Sequence, residues 1–394
     1  MRVFFVDLHC NEFFLRSIDW IVFRHKAPLK QRFLLDYLIA CNEVEVCNLV
    51  TKDGTTLTTR VLRRITRFLP CRVIEAKIVH KLNQVNGKIR IETDITKIGK
   101  DDCLVIHPQF GTIPAECFGI KCKKIADLIH FYGLKEKADL VRNTGTNQYF
   151  FDVNLWKYSK MFQKNWIWMK DGFHFNRYAF QPRFVVKTKY SERKNKCVAI
   201  GTVTKCNFKE FIEMYGNGQY QPRRKMVLEN ADDYPGEIDS YMSEYQNDSV
   251  LSVNENDLWI IKKVKDVYNF FNSGKQKKYF SFDMVDKYNE YQMFVCPEDI
   301  NGSPGVGTFE GMACGCAMIG CNYGAFEDMG MVSGKHYIAY DGTMEDMVAK
   351  IRHYQKPENS CELEEIAKSG MKYVRLHFNQ EAAAKEYINI LEHL

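Results

Sequence analysis

The run Glu298-Asp-Ile-Asn-Gly-Ser-Pro-Gly-Val-Gly-Thr-Phe-Glu310-Gly-Met-Ala-Cys-Gly315 gathers residue types that can hold an anion. Ser303 followed by Pro304 predicts a helix start, with a hydroxyl N-cap and then proline at the first helical position. Gly315 predicts its stop. On such a helix Val306, Phe309 and Ala313 share an apolar stripe, while Ser303, Gly307, Glu310 and Cys314 share a small, polar one. Gly305, Gly307 and Gly311 each cost the helix roughly 1 kcal/mol relative to alanine, a cost that makes sense if something must approach the backbone closely. Amide groups at a helix N-terminus beside a bare glycine face, with the Thr308 hydroxyl in the same turn, form a phosphate site. Glu310 then accepts hydrogen bonds from vicinal hydroxyls such as those of a ribose. A Gly-rich turn before a helix also occurs in α/β folds of every function, and Glu310 reads as well as a solvated carboxylate near the helix dipole.

The elements that must position this segment alternate between strand and helix. Val3 to Asp7 reads as a buried strand, Leu29 to Ala40 as a helix, and Val44 to Val50 and Cys103 to His107 as strands. Arg72 to Glu92 alternates apolar and polar residues and predicts a hairpin around Asn86-Gly87. Residues 143 to 195 are rich in aromatic and polar side chains and end in the charged stretch Lys187 to Lys196, which reads as the link between domains. Beyond it come the strand Cys197 to Gly201, a helix from Asn207 to Tyr215, a long polar segment 216–256 and an amphipathic helix. The strands Met293 to Pro297, Ala317 to Cys321 and His336 to Tyr340 and three closing helices complete the chain. Such alternation implies parallel sheets with crossover helices. The expected fold class is therefore α/β, with an N-terminal domain over 1–190, a C-terminal domain over 191–375, and a last helix over 376–394 that crosses back to the first domain.

The 394 residues suffice for two domains, and 45% hydrophobic with 26% charged residues is the balance of an ordinary globular chain. A net charge of +6 suits an acidic small substrate or an anionic surface. The basic runs Lys121 to Lys124 and Arg223 to Lys225 are too short to argue for nucleic acid. Fourteen cysteines without regular spacing, several inside apolar runs, predict free thiols in a reducing compartment. The close pairs Cys117/Cys122 and Cys314/Cys316 have no second pair at zinc spacing, so no metal site is expected. No apolar run approaches a membrane span and the opening strand is not a signal peptide, which predicts a cytoplasmic protein. Phe162-Gln-Lys-Asn-Trp-Ile-Trp-Met-Lys170 mixes aromatics and lysines, a composition that allows peripheral membrane contact or stacking on a sugar, although burial in a first-domain core accounts for it better.

Phe309-Glu-Gly-Met-Ala-Cys-Gly-Cys-Ala-Met-Ile-Gly320 resembles the donor-binding signature of the retaining GT-B glycosyltransferases, the family of sucrose-synthase-like enzymes and bacterial mannosyltransferases. Gly334 to Asp341 and Ile366 to Asn379 resemble the family's following strand and closing segment, so the resemblance covers roughly residues 197 to 394. It implies two Rossmann-like domains facing a cleft (GT-B), with Gly201, Thr202, Lys205, Ser303, Gly305, Gly307, Thr308 and Glu310 binding the donor and no metal required. Lys209 and Arg223 are outside candidates for the diphosphate. No Asp-x-Asp occurs, so the metal motif of the other main glycosyltransferase fold is absent. A histidine after a first-domain strand points at the sugar in many members. His107 and His130 are the candidates here, although a lone histidine is ordinarily structural. Members often carry two glutamates eight positions apart; Gly302 stands at the first of these, with Glu298 or Asp299 as substitutes.

The function so implied is sugar transfer, with retention, from a nucleotide diphosphate sugar to a glycan or lipid-linked acceptor, with no cofactor beyond the donor. The alternatives are a non-catalytic nucleotide-sugar-binding relative, motivated by Gly302, and a nucleotide-sugar epimerase.

Overall fold

The computed structural model describes residues 1–18, 29–41, 43–51, 68–85, 89–108, 113, 115–129, 131–244, 258–272 and 281–394. The chain divides into two compact units, one formed by Met1–Ala179 with Gln380–Leu394 and the other by Phe180–Asn379.

In the first unit β1 (Arg2–Val6), α1 (Arg32–Ala40), β2 (Glu45–Leu49), α2 (Leu69–Leu82), β3 (Arg90–Glu92), β4 (Cys103–Ile106), β5 (Lys123–Asp127), α3 (Lys135–Asn143), β6 (Tyr149–Phe151) and β7 (Phe173–Phe175) follow in order. The seven strands form one sheet in the order β3-β2-β1-β4-β5-β6-β7, and every neighbouring pair is parallel. Val3, Phe4 and Phe5 of the central β1 are wholly buried, as expected for a strand covered by helices on both faces. The C-terminal helix Gln380–His393 completes this core: Tyr387 stacks on Phe150 with ring centroids 4.4 Å apart, and Ala384, Ile388 and Leu391 join Leu34, Leu35 and Leu38 of α1.

The hairpin expected over Arg72 to Glu92 is not formed. Leu69–Leu82 is the helix α2, with Pro70 in its first turn, and only Arg90–Glu92 is strand; Asn86-Gly87 lies outside the described residues. The apparent alternation misled because α2 turns Arg72 and Glu75 inward. Arg72 is 1% exposed and pairs with Asp7 at 3.4 Å and Glu75 at 3.2 Å. The aromatics of Phe162 to Lys170 are core: Phe162 and Trp166 are fully buried and stack, and Phe131 meets the Trp166 ring edge-on.

In the second unit β8 (Lys194–Val203), α4 (Lys209–Tyr215), α5 (Pro222–Asn230), β9 (Ile238–Glu244), α6 (Trp259–Asn272), α7 (Met284–Asn289), β10 (Tyr291–Val295), α8 (Val306–Ala313), β11 (Ala317–Cys321), α9 (Ala325–Asp328), β12 (Ile338–Tyr340), α10 (Met344–Gln355) and α11 (Ser360–His377) follow in order. The five strands are parallel in the order β12-β11-β10-β8-β9. Two elements lie within the stretch that reads as merely polar, α5 and β9. β9 is an edge strand with only Ile238 and Met242 buried, so its side chains lack the apolar run of an inner strand. β8 does not close at Gly201 but continues to Val203, where it still pairs with β9.

Candidate functional site

Strand order in the second sheet reverses between β8 and β10, since β9 lies to one side of β8 and β10, β11 and β12 to the other. A crevice beyond the carboxyl ends of two such strands is where α/β sheets bind ligands. Here that position is lined by Thr202 at the end of β8, by Pro297 and Glu298 just after β10, by the first turn of α8, and by two arginines of α5.

Arg224 holds the centre. Its Nε donates to the Pro297 carbonyl at 2.8 Å and its Nη1 to the Thr202 carbonyl at 3.3 Å, tying the two strand ends together. Its guanidinium lies against Gly305, where a Cβ would come within 2.8 Å of Nη2. Gly305 is the N-cap of α8, so a cation sits at the positive end of a helix. Arg223 lies over the Tyr323 ring at 5.0 Å and has Glu298 among its electrostatic neighbours. Both arginines fall in the first turn of α5, after Pro222, with no acidic residue there. From the sequence Arg223 is only an outside candidate for the diphosphate, and Arg224 is not among the candidates. The signal was present: a proline helix start followed by three cations opposes the helix dipole, which local stability alone would not choose.

The other end of α8 is held in the usual sense. Arg193 Nη2 donates to the Cys314 carbonyl and Arg375 Nη2 to the Ala313 carbonyl, each at 2.9 Å, so cations meet the negative terminus. Gly315 follows with φ +77°, the left-handed conformation that ends a helix, as expected.

The start of α8 differs from the expectation. Ser303 and Pro304 precede the helix rather than cap it, and Gly305 takes the N-cap place. Ser303 belongs instead to a turn organised by Asp299, whose Oδ1 accepts from the Asn301 amide at 2.8 Å and the Ser303 amide at 3.0 Å. This Asx turn satisfies two amides and holds Ser303 ahead of the helix start. The glycines also have a different immediate reason. A Cβ at Gly307 would meet the Tyr288 hydroxyl at 3.0 Å and Cys296 Sγ at 3.2 Å, and one at Gly311 would meet the Phe294 ring at 2.6 Å. These two glycines let α8 lie close to the protein's own rings, and Tyr288 donates to the Gly307 carbonyl at 3.1 Å. Gly201 likewise makes room for Met242 Sδ and Arg224 Cδ.

Glu298 is fully buried, and burial raises its pKa; its Oε1 accepts from the Cys321 amide at 3.2 Å while Oε2 has no hydrogen-bond partner among the described residues. Asp299 is pushed up by burial in the same way. Thr202 is buried at the end of β8, and its Oγ1 also lacks a partner among the described residues. Thr308 is buried, and Glu310, half-buried on α8, acts electrostatically on Tyr288, Cys296 and Cys314. Thus Gly201, Thr202, Glu298, Gly305, Gly307, Thr308 and Glu310 gather at β8, β10 and α8. Lys205 and Lys209 instead stand in solvent, Lys205 3.8 Å from Glu244 and Lys209 3.7 Å from Glu213.

Position 302 shows why no glutamate stands there. Gly302 has φ +78°, and a Cβ would overlap the Tyr323 ring, whose hydroxyl donates to the Gly302 carbonyl. A side chain here would meet both a disfavoured backbone and an occupied space.

In the first unit His107 follows β4 but is a core residue, stacked on Phe5 at 6.1 Å and edge-on to Phe14 at 5.6 Å. Burial lowers its pKa to about 3, so the ring is neutral, and its Nδ1 lies 3.7 Å from Asp127 Oδ2, too far for a hydrogen bond. His130 lies outside the described residues. All fourteen cysteines are free. Among the described residues no helix is long and apolar enough to cross a membrane.

The chain thus has two parallel α/β units, the second with two arginines beside a helix start at its switch point. Residues 258–389 match the family model described as Glycosyl transferase-like. The crystal structure of Anabaena Alr3699/HepE in complex with UDP and glucose is similar to this chain with a TM-score of 0.52 at 10% identity, covering 100% of each chain. The HepE complex with UDP-glucose gives the same values. Sucrose-phosphate synthase from Thermosynechococcus elongatus has a TM-score of 0.49 at 10% identity, over 100% of this chain and 98% of that one. No curated protein matches the chain. The glycosyltransferase resemblance read from Phe309 to Gly320 is met by the family match over the C-terminal part, and the fold is that of GT-B glycosyltransferases.

Proposed function

We propose that this protein is a glycosyltransferase that moves a sugar, with retention, from a nucleotide diphosphate sugar to a glycan or lipid-linked acceptor, without a metal ion. The observation that carries the reading is Arg224 lodged against the N-terminus of α8 at the β8/β10 reversal. Guanidinium and helix N-terminus are both positive, and a diphosphate between them would relieve their mutual repulsion. Glu298 and Asp299 offset part of that charge from beneath, but burial raises the pKa of both.

In this reading Arg224, Arg223 and the first amides of α8 bind the diphosphate and stabilise the charge that grows on it as the glycosidic bond breaks. Thr202 Oγ1 adds a hydrogen bond, and Glu310 accepts from the ribose hydroxyls. Glu298 acts as the buried counter-charge that orients Arg223. The binding of UDP and UDP-glucose by HepE makes a uridine donor the first to try.

A second reading, a non-catalytic binder of nucleotide sugars, is favoured by one observation: Tyr323 occupies the space a glutamate at 302 would need. A panel of nucleotide diphosphate sugars separates the two. Thermal protection together with transfer or hydrolysis supports the enzyme; protection without turnover supports the binder. Protection by no nucleotide at all overturns the donor site itself.

A further inference from the structure

The turn that leads into α8 keeps both of its carboxylates inside. Glu298 is 1% exposed and accepts from the Cys321 amide, while Asp299 is 7% exposed and accepts from the Asn301 and Ser303 amides. A different side chain fills the space ahead of the helix start. Tyr323, two residues beyond the end of β11, is half-buried, and its hydroxyl donates to the Gly302 carbonyl. That oxygen stands 2.8 Å from the point that a Cβ of residue 302 would occupy. The Arg223 guanidinium lies over the same ring, 5.0 Å from its centroid. Arg223 and the Gly302 carbonyl together fix where the ring lies.

Positions along α8 give this ring a place relative to the donor. Gly305, against Arg224, is the N-cap, and Glu310 lies five residues further in, about 7.5 Å along the helix axis. Gly302 precedes the N-cap by three residues. With the ribose at Glu310 and the diphosphate at Gly305 and Arg224, the group beyond the second phosphate falls ahead of the helix. There it meets Gly302 and Tyr323.

On that reading of the donor site, we propose that Tyr323 receives the transferred sugar and sets which sugars fit. Its ring is a wall for an apolar C–H face of the sugar. Its oxygen donates to Gly302 and keeps lone pairs that accept from one sugar hydroxyl. A carboxylate at this place would carry charge and accept several hydroxyls at once; Tyr323 carries none and accepts one. The donor class that fits is a nucleotide diphosphate bearing a neutral sugar, held by stacking and a single hydrogen bond. The tyrosine that shuts out a side chain at 302 thereby supplies a sugar contact of its own.

The test titrates the full chain with two probes. One is whichever of UDP-glucose, UDP-N-acetylglucosamine, GDP-mannose and ADP-glucose binds most tightly; the other is its nucleoside diphosphate without the sugar. Tyr323→Phe keeps the ring beneath Arg223 and removes only the hydroxyl. It should weaken the nucleotide sugar by about threefold to tenfold and leave the diphosphate within about twofold. Tyr323→Ala also removes the wall, and the loss for the nucleotide sugar should grow by roughly tenfold again, well beyond any loss for the diphosphate. An unaltered melting temperature checks the fold, and Tyr323→Phe decides the matter by itself if Tyr323→Ala unfolds. Equal losses for both probes, the behaviour of a residue that only holds the Gly302 turn, overturn the proposal. So does a nucleotide sugar bound unchanged by the variants. Binding of no probe by the wild-type chain overturns the donor-site reading itself, and the role of Tyr323 falls with it.

Discussion

The two sheets reverse strand order in equivalent places but fill them differently. In the first unit the reversal falls between β1 and β4: after β1 Asp7 pairs with the buried Arg72, and after β4 His107 stacks on Phe5 and meets Phe14 edge-on, beside the Asp127 carboxyl. In the second unit the reversal between β8 and β10 holds two arginines and a glycine N-cap, with buried polar atoms of Thr202 and Glu298 left without partners among the described residues. One fold plan therefore brings an arginine already paired with carboxylates and a neutral histidine to the switch point of one unit, and two arginines beside a helix start to that of the other. A switch point is an opportunity for ligand binding, and the side chains at the strand ends decide whether it is used for charge.

The largest expected effect breaks the second site. Arg224→Ala should weaken nucleoside diphosphate binding a hundredfold or more, about 3 kcal/mol for removing a charge-assisted hydrogen bond and displacing the groups that Arg224 holds in place. Calorimetric titration checks this, and affinity unchanged within twofold would remove Arg224 from the site.

Asp127→Asn sharpens the other side of the comparison. Burial raises the Asp127 pKa to about 7, far above the ordinary 3.8. The carboxyl is thus neutral in the folded state at low pH, and its penalty grows as pH rises from about 4 to about 7. The substitution should stabilise the protein by roughly 2–3 kcal/mol at pH 8 and hardly at all at pH 4, at about 1.4 kcal/mol per pKa unit, discounted for the favourable interactions the carboxylate gives up. Denaturant unfolding at the two pH values measures this. His107 works in the opposite direction: its pKa near 3 favours the folded state above about pH 6.5 and loses that advantage as pH falls.

Gly302→Ala should cost about 1–3 kcal/mol, since it combines positive φ with overlap on Tyr323. A melting temperature within a degree of wild type would show that Tyr323 moves aside freely. The smallest effect is expected at Glu310. Glu310→Ala should lower the affinity for a ribose-containing nucleotide by about tenfold, leave inorganic diphosphate binding unchanged, and keep the fold. Equal loss for both ligands would give Glu310 an electrostatic role instead of a ribose contact.

Much of the second unit was legible in the linear sequence because its signals are local. Buried parallel strands read as short apolar runs at Met293 and Ala317, the closing helices show clear periodicity, and Gly315 stops α8 through a conformation that glycine adopts most cheaply. The match of Phe309 to Gly320 to a known signature rested on the same local strand–helix–strand grammar.

What only the tertiary structure decided depends on residues far apart in the chain. Tyr323, 21 positions beyond Gly302, determines that no side chain fits there. Arg224 becomes central because β8 and β10, 88 or more residues apart, end side by side and offer it two carbonyls. The inward charges of α2 are tolerated only because Asp7 arrives from β1 to pair with Arg72. Ser303 could have capped a helix, but it belongs to the turn that Asp299 organises, and Gly305 stands at the helix start. The residue types around Ser303 to Glu310 determined a helix beginning in a glycine-rich turn; the adjacency of β8 and β10 brought the arginines of α5 beside it, because adjacency in a parallel sheet is long-range and leaves no mark in local periodicity.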